Sequence, residues 1–268
     1  MSDQGGVPSF HIDQVHRAEQ TLNVRLLDDQ AELPGVVRMR RWVRDALAVR
    51  AGETAVDLGC GTGTEVVELA RSVGESGRAI GIDPNPSMLA VARQRAAGVR
   101  TEFIEGSAYA LPLPDGVVDV LRCERVYQHL DDPARATAEI ARVTRPGGRV
   151  ALIDSDWSTA ILHPGDPQVI ESMRQRMDAA VPNRRSGRRL RGLLAEAGFV
   201  IEDMGSEAVI WGPDSAVPMC TAFAESVVAD GTITVEQRDR LLRDVERGIA
   251  AGDYHFSVTM FAVIARHP

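Results

Sequence analysis

The sequence predicts an α/β protein: a doubly wound, mostly parallel seven-stranded sheet with a helical lid over the carboxyl ends of its strands. Three observations carry this. From Thr54 onward, short apolar runs alternate with stretches of helical spacing: TAVDLG then 64–73, RAIGID then 86–97, TEFIEG, VVDVLR then 132–143, and RVALID. Strands alternating with helices make parallel β-α-β units with helices on both sheet faces. A glycine-dense turn, Val56 to Thr64, stands between the first strand and its helix, and Asp83 ends the second strand.

The remaining elements follow in order. The polar, Gly/Pro-rich residues 1–10 read as a disordered tail, and 11–49 as N-terminal helices, with helical spacing over 11–22 and 35–49. The core is expected over 50–155, 186–212 and 253–268. Arg145-Pro146-Gly147-Gly148 is a turn that stops a helix and opens the fifth strand. After Asp154 the rhythm breaks, and 156–185 and 213–252 read as helical cap insertions that bind the acceptor. They hold predicted helices at 167–180, 214–230 and 234–250. A helix near 187–197 leads into FVIEDMG, and HFSVTMFAVIARH closes the chain as a strand.

Composition narrows the function. Net charge is −8, which argues against nucleic acid, because that partner needs a basic face to displace counterions. All 30 basic residues are arginine, so lysine Schiff bases and a P-loop are excluded. Cys60, Cys123 and Cys220 are isolated, with neither metal-ligand spacing nor a disulfide framework, so no metal is expected. No apolar run approaches the ~18–20 residues that cross a bilayer, and MSDQGGVPSF lacks the pattern of a signal peptide. A cytoplasmic protein is expected, a monomer or homodimer without a membrane or nucleic-acid partner.

The glycine turn reads D-x-G-x-G-x-G through Asp57, Gly59, Cys60, Gly61 and Gly63. A dinucleotide site wants G-x-G-x-x-G, and neither frame fits, since position 64 is Thr and position 66 is Val. Such a turn lets backbone approach a ligand where a Cβ at 59 or 61 would collide. With Asp57 and its amides it suits a ligand carrying an ammonium group rather than phosphates. Asp83 can accept both hydroxyls of a ribose. Asn85 is the better cap for the following helix, with Pro86 at its first position, which frees Asp83 for a ligand.

VDLGCGTG, GIDPNPSML, GSAYALPLPDGVVDV, VYQHLDDPARATAEIARVTRPGGRV and GRRLRGLLAEAGF together resemble the class I S-adenosylmethionine (SAM)-dependent methyltransferases. They are most similar to the ubiquinone/menaquinone-biosynthesis branch, over about 30 to 205 plus the closing strand. The resemblance implies a Rossmann-like fold, SAM as cofactor and methyl transfer to a small-molecule acceptor in bacterial cofactor or natural-product biosynthesis. It implies that Gly59, Gly61 and Gly63 bed the methionine and adenosine parts and that Asp83, beside Pro84, binds the ribose. Ser107 and Ala108 should flank adenine, and Arg122, Cys123 and Glu124 should pass near the sulfonium. The family usually has Asp where this chain has Ser107, whose hydroxyl accepts a bond without charge.

His129 is the candidate general base, in Tyr127-Gln128-His129 after the fourth strand; the alternative is a histidine that braces the loop. Gln128 is a candidate contact to cofactor or acceptor. Asp154 and Asp156 read as solvated loop acids, and Arg184-Arg185-Ser186-Gly187-Arg188-Arg189-Leu190-Arg191 as the solvated face of a helix. Gln30, Arg38 and Trp42 are expected on helices that close over the cofactor. Two other readings stay open: a SAM-binding enzyme of the same fold performing a cyclisation or decarboxylation, and a SAM-binding regulatory module.

Overall fold

In each parallel strand alternate side chains must be covered on opposite faces, so the sheet is sandwiched between helices. The structure is a computed structural model that describes residues 24–180, apart from 26, and 182–268. The expected tail and the helix at 11–22 lie outside the described residues. Among the described residues, seven strands run β1 (Thr54–Leu58), β2 (Arg78–Asp83), β3 (Glu102–Glu105), β4 (Val118–Glu124), β5 (Thr144–His163), β6 (Val200–Ile210) and β7 (His255–Arg266). They form one sheet in the order β3-β2-β1-β4-β5-β7-β6. The first five pair in parallel, and β7 lies antiparallel between β5 and β6. The doubly wound, mostly parallel sheet is as expected.

Helices α1 (Pro34–Leu47), α2 (Thr64–Val73) and α3 (Pro86–Arg95) cover one face, packing Val43, Leu47, Val66 and Leu89 against Ala55 and Val120. Helices α4 (Pro133–Val143) and α6 (Ser186–Glu196) cover the other, packing Ile140, Val143, Leu190 and Leu194 against Val56 and Leu121. Helices α5 (Pro167–Ala180), α7 (Pro213–Ala229) and α8 (Val235–Ala251) bury a smaller cluster of their own, Val169, Met173, Phe223, Val227, Leu241 and Val245. Among the described residues, no helix is long and apolar enough to cross a membrane.

The fifth strand differs from its expected span of 149–154. It continues past a register break after Asp156, and Ile161, Leu162 and His163 pair with Ser257, Phe256 and His255. The segment SDWSTAILH has no apolar run to signal a strand; its ladder depends on β7, a hundred residues away. The resulting two-stranded arm leads to the small helical cluster.

The helix caps follow the local chemistry. Asn85 caps α3, its side chain accepting from the amides of Ser87 (2.9 Å) and Met88 (3.3 Å), with Pro86 opening the helix as expected. Gly81 lets α2 approach β2. A Cβ there would lie 2.8 Å from Cys60 Sγ and 2.9 Å from Val66 Cγ2. Gly81→Ala should therefore cost about 1–3 kcal/mol of overpacking in urea unfolding. Gly212→Ala, where a Cβ would meet nothing within 4 Å, should stay within about 0.5 kcal/mol. Equal stabilities for the two variants would contradict this account of the α2–β2 contact.

Candidate functional site

In an open α/β sheet, ligands collect at the carboxyl ends of the strands, where loops and helix N-termini offer polar groups. Here that edge carries the glycine turn after β1, Asp83 after β2, the turn after β4, and Asp154 in β5. Gly59, Gly61 and Gly63 all have positive φ, 73°, 51° and 81°. Their reasons differ. A Cβ on Gly59 would sit 2.2 Å from Val126 Cγ2, and one on Gly63 would sit 2.8 Å from Ala92 Cβ, so these two are required by packing within the chain. At Gly61 the nearest atom to a Cβ is Leu27 Cδ1, 3.7 Å away. Gly61 is thus the position in the turn where a Cβ would meet no clash within the chain, a cradle that suits a close-lying ligand.

Asp83 is buried, and its two oxygens accept from the amides of Gly61 and Asn85, both at 2.9 Å. Burial raises its pKa, and those two amides oppose the rise. Each carboxylate oxygen keeps a further lone pair, so the group can still accept from a pair of hydroxyls. Pro84 is exposed on the lip beyond it. Ser107 is exposed and its Oγ accepts from Tyr109 N at 3.2 Å, while Ala108 is buried. Cys60 and Cys123 are both buried, and burial pushes both thiols up. Cys60 faces Gly81 and Cys123 joins the core on the α4 face, so neither offers a thiolate.

Strand alternation puts Asp57, Arg122 and Glu124 on the α1 face, where they form a buried ionic cluster. Arg122 donates Nη1 to Asp57 Oδ1 at 2.8 Å and Nη2 to Glu124. Its Nε is buried without a hydrogen-bond partner, with Glu65 Oε2 3.8 Å away. Arg40 on α1 takes Glu124 through Nε (2.9 Å) and Nη2 (2.8 Å), and Arg44 reaches Glu65 at 2.9 Å. Burial would raise the Glu124 pKa, but Arg40, Arg122 and Arg125 together hold it well below the usual carboxylate range. Burial pushes Asp57 up to about 6, against the pull of Arg122. A zwitterionic amino acid suits this mixture of carboxylates and guanidiniums, one of them with an unpaired N–H. The donor set therefore fits SAM.

Past β4, Arg125 takes φ 57°, rare for a residue with a Cβ, and donates to Gln30. Tyr127–His129 form a single 3-10 turn, in which His129 is half-buried and its amide donates to Val126 O at 2.9 Å. The polar atoms of Gln128 are engaged by Asp154, Asn183, Trp157 and Arg125.

Several expectations are corrected. Asp154 and Asp156 are fully buried within β5 rather than solvated. Asp154 accepts from the amides of Gln128 (2.9 Å) and Ser155 (2.7 Å), and Asp156 takes Ser158 and Arg188. Arg188 is therefore an anchor inside the basic run rather than one more solvated charge. On the N-terminal segment, Gln30 reaches the site, but Arg38 pairs with Glu207 and Trp42 lies against Gly205, both on β6. The cations that do reach the site, Arg40 and Arg44, were missed. Their i, i+4 spacing on α1 marks one face, but only the docking of α1 shows that this face meets Glu65 and Glu124. Among the described residues, no group of three or more His, Cys, Asp or Glu side chains is placed to hold a metal ion.

The methyltransferase-domain family matches residues 56–152, from β1 into β5. The demethylmenaquinone methyltransferase of Oceanobacillus iheyensis is 30% identical over 162 residues, 58% of this chain and 68% of that one. An uncharacterized 37.1 kDa protein in a transposon of Streptomyces fradiae is 34% identical over 258 residues, 91% of this chain and 71% of that protein. A solved structure, a putative methyltransferase from Bacillus halodurans, shares the fold with a TM-score of 0.62 at 20% identity, covering 85% of this chain and 98% of that one.

The buried acids give the site a pH signature. Burial raises Asp154 to about 7, against the lowering effect of the amides of Ser155 and Gln128. An unfolded aspartate titrates near ~3.9. Between those values the folded chain holds a proton that the unfolded chain has released, so stability falls as pH rises through that window. Asp57, raised to about 6, acts in the same sense. Glu124, whose pKa is lowered, acts in the opposite sense and at lower pH. The melting temperature should therefore fall between about pH 4 and pH 7, and Asp154→Asn should flatten that fall. An identical slope in the variant would show that Asp154 titrates like a solvated acid.

Proposed function

The chain belongs to the class I SAM-dependent methyltransferases with SAM as its cofactor, and from this we propose that it methylates a small-molecule acceptor. The observation that carries the reading is the junction of the Gly61 cradle with Asp83 on one side and the Asp57–Arg122–Glu124 cluster on the other. Asp83 and the glycine turn would hold the ribose, and Ser107 and Ala108 the adenine. The ionic cluster would receive the amino-acid end of the cofactor. The net charge of −8 favours a small acceptor over a nucleic acid. Likeness to a demethylmenaquinone methyltransferase supports a place in bacterial cofactor or natural-product biosynthesis. Three buried free cysteines fit the reducing cytoplasm, where the protein would act as a monomer or homodimer.

SAM supplies an electrophilic methyl group on a sulfonium, which loses its charge as the methyl moves to a nucleophile. The protein's part is to align the acceptor and exclude water, because positioning supplies much of the rate. The 3-10 turn presents His129 at the same sheet edge, where it takes a proton from an acceptor that must lose one. The small helical cluster of α5, α7 and α8, carried on the β5–β7 arm, together with the segment around Gln30, would form the lid over the acceptor.

Calorimetry with S-adenosylhomocysteine (SAH) tests the cofactor assignment. Asp83→Ala should weaken binding by about 1–3 kcal/mol, the cost of unpaired ribose hydroxyls. 5′-Methylthioadenosine, which lacks the amino-acid end, should bind the wild-type protein more weakly than SAH. Unchanged affinity in Asp83→Ala would reduce Asp83 to a turn residue. For the chemistry, His129→Ala should lower turnover by ~100-fold or more with SAM affinity little changed. Loss of activity accompanied by a large fall in melting temperature would instead identify a loop-bracing histidine.

A further inference from the structure

The densest set of polar contacts outside the ionic cluster converges on the turn after β4. Gln128 has all four of its polar groups occupied by protein partners. Its N–H donates to Asp154 Oδ2 (2.9 Å) and its carbonyl accepts from Asn183 N (3.1 Å). Its Oε1 accepts from Trp157 Nε1 (2.7 Å), and its Nε2 donates to Arg125 O (3.3 Å). The side chain of Asn183 donates to Leu130 O and to Tyr127 O (3.3 Å). The backbone of Trp157 closes the set, donating to Arg184 O at 2.8 Å.

These partners come from two directions. Asp154 and Trp157 belong to β5, and Asn183 and Arg184 belong to the short linker between α5, in the small helical cluster, and α6, in the core. The 3-10 turn closes with Leu130 N donating to Tyr127 O at 3.3 Å, and a turn this short leaves its later carbonyls to be met from outside. Asn183 meets three carbonyls here: its backbone N–H donates to Gln128 O, and its side-chain nitrogen donates to Tyr127 O and Leu130 O. An amide side chain can meet the carbonyls of Tyr127 and Leu130 together because its nitrogen carries two hydrogens, and it needs no charge. On the other side of the turn, Arg125 links Gln128 to the cofactor end of β4, because its side chain also lies 3.4 Å from Glu124.

We propose that Asn183 is a positioning residue for methyl transfer: it sets the pose of the Tyr127–Leu130 turn that carries His129 and ties that pose to the linker from the helical cluster. It rests on the proposed function only in placing the cofactor at the end of β4. A ligand there acts on Arg125, Arg125 on Gln128, and Gln128 on the Trp157 indole, with Asn183 holding the turn rigid enough to transmit the change.

The indole makes this measurable. The chain has 3 tryptophans, so 5-fluorotryptophan gives a resolvable fluorine spectrum, with Trp157 assigned from Trp157→Phe and Trp42 on β6's side as reference. Asn183→Asp keeps the size of the side chain but replaces the donor with an oxygen that faces two carbonyls, those of Tyr127 and Leu130. SAH should shift the Trp157 resonance in the wild-type protein. In Asn183→Asp, SAH should bind within about threefold of wild type, while the Trp157 shift is lost and Trp42 is unaffected. A purely structural asparagine would lower the melting temperature and leave that shift intact. The proposal is overturned if bound SAH does not move Trp157 in the wild-type protein, or if the shift survives in Asn183→Asp. Should Asn183→Asp fail to fold, Asn183→Ser, a neutral donor too short to span the carbonyls, carries the same comparison with the same two outcomes. Absence of SAH binding to the wild-type protein overturns the cofactor assignment together with this proposal, and calorimetry separates that case from the others.

Discussion

Arg122 stands in the middle strand region of the sheet with a guanidinium almost entirely removed from water, and such a group persists only if its charge is met. Asp57 on β1 and Glu124 on its own strand meet it, which ties the two central strands together at the edge where the glycine turn begins. Glu124 in turn holds Arg40, and Glu65 holds Arg44, so α1 and α2 are drawn onto the same charge cluster. The pairing raises the cost of any single substitution. Removing one partner strands a buried charge, a loss of about 3–5 kcal/mol. The cofactor assignment and the docking of the N-terminal helix therefore depend on one set of groups.

The second organising device is the β5–β7 arm. Parallel strands need a crossover to return, but β7 enters antiparallel and can run beside β5 well beyond the other strands. That extra length projects past the sheet edge and leads to the α5–α7–α8 cluster, which buries apolar side chains of its own and touches the main core through Met219, Leu162 and Tyr254. A cluster with a core of its own, joined through an arm and a short linker, suits the role proposed for a lid.

Between core and cluster lies the turn after β4. Its neighbours, Asp154 in β5 and Asn183 in the linker, place both sides of the molecule in contact with the residue next to His129. The buried Asp154 is costly to ionise, and two amides offset part of that cost. Polar groups retained at such expense constrain geometry more than they add stability.

Alternating strand and helix signals were enough to assign the parallel half of the sheet. The spacing Asp57-Gly59-Gly61-Gly63-Asp83 was enough to mark its ligand edge, because both features are local: strand period, turn chemistry and helix capping act over a few residues. Asn85 rather than Asp83 as the cap of α3 was legible for the same reason. Contacts between distant segments were not. Whether Gly59 answers to a ligand or to Val126, whether α1 presents Arg38 or Arg40 to the site, and whether Asp154 is solvated or buried are decided by how separate elements dock. The continuation of β5 to His163 depends likewise on a ladder with β7. The sequence by itself determined the fold class, the cofactor edge and the candidate residues on it. Only the tertiary structure decided which face of each helix meets that edge, because a helix carries its charges all around, and packing alone chooses the side that is buried.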